Sequence, residues 1–239
     1  MFLFGSPPNP NHNPCVGGSN PSYKDKLKAL KGITIGITSA GSGTDQLVRF
    51  LAKQAGLRPD RDMTITALGS GQAMLAAFSQ NRIQGFSHSA PDAEEAAKNH
   101  DGILLFNFSK GEVKPLAGFL YVAAIAREDW LKAHSKVAVR FLTAVQQALD
   151  TLHDPKATLT AMKAVHDKYQ NRTDMTFYKY VWENTIGAFP KTITLTSAAM
   201  KRVADFADEF EKKKLKPDTL GKSWTDKYAA EALKSLHEK

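Results

Sequence analysis

Three runs decide the fold: ITIGIT ahead of SAGSGTD (Ile33–Asp45), MTITAL ahead of GSGQ (Met63–Gln72), and GFSHS ahead of APD (Gly85–Asp92). Each is a short apolar or β-branched run bounded by Gly or Ser, the pattern of a strand buried on both faces. A helical pattern follows each run. Asp45–Gly56 sets Leu47, Val48, Phe50, Leu51 and Ala55 on one broad face, and Gly56 suits a C-terminal cap. Gln72–Gln80 turns Met74, Leu75 and Phe78 inward, and Pro91 suits the first turn of a helix over Asp92–Asn99. ILLFNF (Ile103–Phe108) makes a fourth strand. This alternation predicts an α/β unit over about residues 31–110, with a parallel or mixed sheet and helices on both faces.

The flanks are different. Tyr23–Leu30 is a short amphipathic stretch. Residues 1–22 are rich in Pro, Asn, Gly and Ser without hydrophobic periodicity, and are expected to be an irregular tail. They lack the basic start and apolar stretch of a secretory signal, and Cys15, after Asn-Pro, does not resemble a lipoprotein acylation site. Beyond the α/β unit, GFLYVAAIAR (Gly118–Arg127) is predicted as a further strand. Helical patterns then fill Asp129–His134, Val137–Leu152, Pro155–Tyr169, Thr173–Gly187, Ser197–Lys213 and Trp224–His237, interrupted by TITL (Thr192–Leu195). The second half thus carries many helices and almost no sheet for them to cover.

Composition excludes several classes. With 239 residues and 42% hydrophobic residues, the chain can bury a core as two small domains or one larger one. FLYVAAIA, from Phe119, is too short to cross a bilayer as a helix. A net charge of +8 permits an acidic partner or anionic ligand, or simply a basic surface. The cations are scattered, the densest run being Lys212–Lys214, and no zinc-finger, RNA-binding or basic-zipper pattern is present, so no nucleic acid partner is expected. The single cysteine excludes an internal disulfide and a cysteine metal cluster. The histidines lack ligand spacing, so neither metal nor cofactor is expected.

The chemistry concentrates in the loops. Backbone N–H groups at a helix start have no intrahelical acceptor, and the helix dipole favours negative charge there. In the first loop Ser39, Ser42 and Thr44 bring hydroxyls beside the amides of Gly43 and Thr44; in the second, Ser70 and Gln72 lie beside Gly69 and Gly71. The third strand ends in Ser87, His88 and Ser89. In an open parallel sheet these are the loops where ligands collect. Ser42 or Thr44 can equally act only as a helix cap, and His88 can donate to a ligand or merely pack. The first loop is neither a Walker loop, lacking a lysine after its glycines, nor a full dinucleotide fingerprint. No G-x-S-x-G elbow occurs. Asp92, Glu94 and Glu95 suit a helix start electrostatically, so no catalytic residues are assigned and no enzyme is expected.

LKGITIGITSAGSGTDQLVRFLAKQAGL (Leu30–Leu57) and MTITALGSGQAMLAAFSQNRIQGFSHSAPDAEEA (Met63–Ala96) resemble the nitrate, sulfonate and taurine group of ABC-transporter substrate-binding proteins, which share their fold with thiamine-precursor-synthase-like proteins. The resemblance covers about Leu27–Leu152 well and the later helices loosely. It implies a periplasmic-binding-protein-like α/β fold of two lobes. Residues 23–117 correspond to a complete second lobe carrying anion-binding loops, and residues 118–239 to a crossover strand and the mostly helical remainder of a first lobe without its opening strands. It also implies binding of a small, anionic solute between the lobes at Ser39, Ser42, Gly43, Thr44, Gly69, Ser70, Gln72, Ser87, His88 and Ser89, with ABC permease subunits as partners. Nitrate-like, sulfonate-like, taurine-like and aromatic-acid solutes remain open. The group resides in the periplasm; without a signal peptide this chain is expected to stay cytoplasmic if expressed as written. Other readings are a non-functional fragment, or one that self-associates through exposed first-lobe helices, a TRAP-type solute receptor, and a thiamine-pyrimidine-synthase-like enzyme. The last is disfavoured because related enzymes use a cysteine-rich motif.

Overall fold

The structure, a computed structural model, describes residues 2–5, 21–210 and 217–238. Cys15 and Lys212–Lys214 lie outside the described residues. The chain divides into two units: Met1–Pro115 with Glu183–Thr185, and Leu116–Trp182 with Ile186–Lys239.

In the first unit β1 (Phe2–Gly5), β2 (Thr34–Ile37), β3 (Thr64–Ala67), β4 (Gly85–His88) and β5 (Ile103–Asn107) form one sheet in the order β3-β2-β4-β1-β5. β2 runs parallel to both β3 and β4, with Gly36 opposite Thr66 and Phe86. β1 is antiparallel to β4 and β5, pairing Leu3 with Ser87 and Gly5 with Ile103. The irregular tail expected over residues 1–22 therefore needs correction at Phe2–Gly5. A strand inserted between β4 and β5 supplies the main-chain hydrogen bonds their facing edges would otherwise lack.

Connectivity places the helices. From β2 the chain steps outward to β3, then returns past β2 to β4. Right-handed crossovers consequently put α2 (Gly43–Gln54) on one face and α3 (Gly71–Ser79) with α4 (Asp92–Asn99) on the other. On the α3 and α4 face, Met74, Phe78, Ile83, Phe86, Ala93 and Ala96 form a buried cluster. Phe78 meets Phe86 edge-on, 5.7 Å between ring centroids. Gly36 points into this cluster: a methyl group there would lie 3.0 Å from Ile83 Cδ1 and 3.1 Å from Leu68 Cδ1. Ile35 and Ile37, alternating with Gly36, face the other way. Leu47, Val48 and Leu51 of α2 are buried. α1 (Tyr23–Lys28) completes the unit.

The second unit contains α5 (Glu128–Ala133), α6 (Ser135–His153), α7 (Thr158–Tyr169), most of α8 (Met175–Thr185), α9 (Ser197–Ala207), α10 (Pro217–Lys222) and α11 (Lys227–His237). α11 packs on α6, with Ala138, Leu149, Ala229 and Ala232 buried. Among the described residues this unit has no strand. The strand expected at Gly118–Arg127 is a second correction. The segment has strand-like composition but no strand beside it to complete a ladder, and Val122 and Ile125 are 79% and 95% exposed. Val137, Phe141, Leu159 and Val165 are also exposed, as expected for helices without a sheet to cover.

One side chain substitutes for a strand partner. Gln146 is buried on α6; its Nε2 donates to Lys191 O at 3.0 Å and its Oε1 accepts from Ile193 N at 3.0 Å. It thereby pairs one acceptor and one donor of the backbone at the start of the TITL segment, as a neighbouring strand would. Gln146→Ala is expected to cost about 1–3 kcal/mol, the usual penalty for unpaired buried polar groups. Phe78→Ala is expected to cost about 3–5 kcal/mol through a core cavity. Urea unfolding of each variant measures both.

Candidate functional site

The carboxyl ends of β2 and β4 form a topological switch point. The chain leaves β2 toward β3 on one side and leaves β4 toward β5 on the other. Outgoing loops diverge there and leave a crevice, the usual ligand position in an open α/β sheet. Ser39 follows β2; His88 ends β4 and Ser89 follows it; Gly69 and Ser70 follow β3 beside them.

The first loop is locked from within. Thr38 Oγ1 donates to Ser42 Oγ at 2.9 Å; Ser42 Oγ and Thr44 Oγ1 are 2.7 Å apart, and Thr38 Oγ1 and Thr44 Oγ1 2.8 Å apart. Three hydroxyl protons meet three oxygen–oxygen contacts, so the ring can close without a spare donor. Thr44 Oγ1 also accepts from Thr38 N, and Ser42 Oγ caps α2 by accepting from Asp45 N. Asp45 is buried, accepts from Gly41 N at 2.8 Å and pairs with Arg49 at 2.8 Å; Arg49 continues to Asp60. Toward solvent the loop leaves the exposed Ser39 and the half-buried Gly43; Thr44 is buried, and the first-turn amides of Gly43 and Thr44 have no intrahelical acceptor.

The second loop is more open. Gly69, Ser70 and Gln72 are exposed, and Ser70 Oγ caps α3 by accepting from Ala73 N at 3.2 Å. Gly69 has φ +81°, a backbone conformation that suits glycine. At the third strand end Ser89 is exposed and His88 half-buried, whereas Ser87 is 1% exposed. Alternation turns Ser87 to the face opposite His88, and its Oγ has no hydrogen-bond partner among the described residues. Seven of the expected residues thus gather at one edge: Ser39, Gly43, Gly69, Ser70, Gln72, His88 and Ser89. Ser42 and Thr44 hold the loop's shape, and Ser87 lies beneath it.

Two groups escaped the sequence reading. Asp92 Oδ2 lies 2.6 Å from His88 Nδ1, an ion pair when the imidazole is protonated. The Asp92 carboxylate raises the His88 pKa above the ordinary imidazole value, against burial, which lowers it. Glu94 is 0% exposed, and neither carboxyl oxygen has a hydrogen-bond partner among the described residues. Burial pushes its pKa up to about 7. No spacing in the sequence distinguishes Glu94 from an ordinary acidic residue at a helix start. Among the described residues no group of three or more His, Cys, Asp and Glu could hold a metal ion. None of the described helices is long and apolar enough to cross a membrane.

The comparisons with known proteins bear on the family and the fold. The NMT1-like family profile matches residues 18–166. A protein of Bordetella bronchiseptica RB50 superposes with a TM-score of 0.71 at 17% identity, over 98% of this chain and 71% of that one. The periplasmic aliphatic sulphonate binding protein SsuA of Escherichia coli gives 0.65 at 16% identity, over 95% and 69%. The ligand-binding component of an ABC-type import system from Staphylococcus aureus, a structure with zinc bound, gives 0.62 at 15%, over 93% and 70%. At such identities the likeness is one of fold. No curated protein matches the chain.

Glu94 generates a pH prediction. The folded chain keeps its proton up to about pH 7, whereas the unfolded chain releases it near 4.5. The unfolded state therefore binds fewer protons across that window, so stability falls as pH rises from 4.5 to 7 and the Glu94 contribution is flat above. Glu94→Gln is expected to remove this slope, worth roughly 3 kcal/mol across the window. Denaturant unfolding of both proteins at stepped pH reads it out.

Proposed function

Because the chain belongs to the NMT1-like family, we propose that it is the substrate-binding component of an ABC-type transporter and holds a small anionic solute at the carboxyl edge of the first unit's sheet. The observation that carries this reading is the switch point between β2 and β4, with exposed Ser39, Gly69, Ser70, Gln72 and Ser89 around it and two helices starting there. Two of the structures that share the fold are named as solute binders: one for aliphatic sulphonates, one as the ligand-binding component of an ABC-type import system. The function needs capture and release, not bond making. Permease subunits are the corresponding partners, and the periplasm the corresponding compartment.

Thermal unfolding with nitrate, taurine, alkyl and aryl sulfonates and aromatic carboxylates tests this. A solute that binds only the folded chain, present at about 100 times its Kd, stabilises by about 2.7 kcal/mol and raises the midpoint. A midpoint unmoved by the whole panel contradicts the reading.

A second reading has its own observation. Val122, Ile125, Val137 and Phe141 expose apolar surface in the second unit. Such surface favours self-association. Sedimentation over a tenfold range of protein concentration is expected to show a species larger than 26.2 kDa; a monomer throughout contradicts it.

A further inference from the structure

The start of α3 at this edge already holds a carboxylate. Gly71 is the first residue of α3, and a side-chain carbon built on it would overlap the carboxylate of Asp92. Gly71 is not among the glycines of positive φ, so close approach, rather than backbone conformation, is what excludes a side chain there. Asp92 thus lies against the positive end of the α3 dipole, where an anionic group is stabilised. His88 holds it from the other side at 2.6 Å. Neither group is sealed off: the side chains of His88 and Asp92 are 22% and 18% exposed. The depression between α3 and α4, about 420 Å³, continues the same chemistry. Gln72, Ser79, Asp92, Glu95 and His100 are its polar lining, and neither lysine nor arginine is among the lining residues. α3 itself, GQAMLAAFS, contains no ionisable side chain.

We propose that Asp92, braced by His88 and seated on Gly71, sets the charge selectivity of this edge. It occupies the place that a second anionic group of a solute would need. The edge therefore takes a solute with one anionic group and presents Asp92 to a cationic or hydrogen-bond-donating group at the other end, and it rejects dianions. This rests on the reading of the edge as the solute site. The anionic end falls to the other helix start, where the first-turn amides of Gly43 and Thr44 have no intrahelical acceptor and Ser39 beside them is exposed. There the internal carboxylate, Asp45, is buried and balanced by Arg49.

The test is calorimetric titration of the full chain with taurine, which carries a sulfonate and an ammonium group, and with sulfoacetate, which carries a sulfonate and a carboxylate. Wild type is expected to prefer taurine by at least about 10-fold, a modest result for exchanging attraction for repulsion beside a partly exposed carboxylate. Asp92→Asn is expected to bring the two probes within about threefold, with most of the change in sulfoacetate. Asp92→Ser serves as a second variant, and matched unfolding midpoints show that both variants fold. Equal binding of the two probes by wild type, or a preference that survives both substitutions, overturns the proposal and leaves the solute-binding reading standing. Binding of neither probe to any of the three proteins overturns the proposal; that reading itself fails only if the wider panel of anions also leaves the unfolding midpoint unmoved.

Discussion

The close packing of Ile83, Leu68 and Met74 over β2 at Gly36 is the constraint on which the rest of the first unit depends. Ile83, Leu68 and Met74 crowd the position where a side chain of Gly36 would begin, at 3.0, 3.1 and 3.4 Å. Interiors packed at crystal-like density have little slack for an added carbon. In the same packed layer Phe78 and Phe86 meet edge-on. His88, Asp92 and Gly71 then come together from three elements. The candidate edge thus rests on the hydrophobic packing below it.

The polar groups at that edge follow one economy. At two helix starts a side chain caps one first-turn amide, Ser42 at α2 and Ser70 at α3; Asp45 holds the loop ahead of α2 by accepting from Gly41 N, and Asp92 lies against the first turn of α3. Asp45 is buried and paired, so it is part of the architecture. Asp92 is partly exposed and, among the described residues, its ion-pair partner is His88, so on the proposed reading it is the member of the set that a solute would sense. Glu94, in the first turn of α4, has no hydrogen-bond partner for its carboxyl oxygens among the described residues. Its burial costs stability near neutral pH, and the electrostatic expectation for an acidic residue at a helix start does not describe it.

Much of the first unit was legible in the sequence because the signals there are local. Each of the four expected strands forms within one residue of its expected ends, and the helix over Asp92–Asn99 coincides with expectation, because apolar runs bounded by glycine encode both length and burial. The misreadings are all matters of partnership. Gly118–Arg127 has the composition of a strand, but composition states a capacity to pair and not the presence of a neighbour. Phe2–Gly5 is a four-residue strand ahead of a Pro- and Asn-rich run, too short for periodicity to register. At the candidate site the loops were legible from Gly, Ser and Thr at helix starts, but the contact between Asp92 and Gly71 joins residues 21 positions apart through tertiary packing. The closed hydroxyl ring of Thr38, Ser42 and Thr44 is local, yet the sequence left cap and ligand-donor roles equally open; geometry favours the cap.

The central claim is that a small anionic solute binds at the carboxyl edge of the first unit's sheet. Backbone amide chemical-shift mapping during titration with a stabilising solute tests it most directly. The account predicts saturable shifts concentrated at Ser39–Thr44, Gly69–Gln72 and His88–Ser89, with little change along the strands beneath. Saturable shifts confined to residues 116–239, or spread evenly without a focus at these three loops, would contradict it.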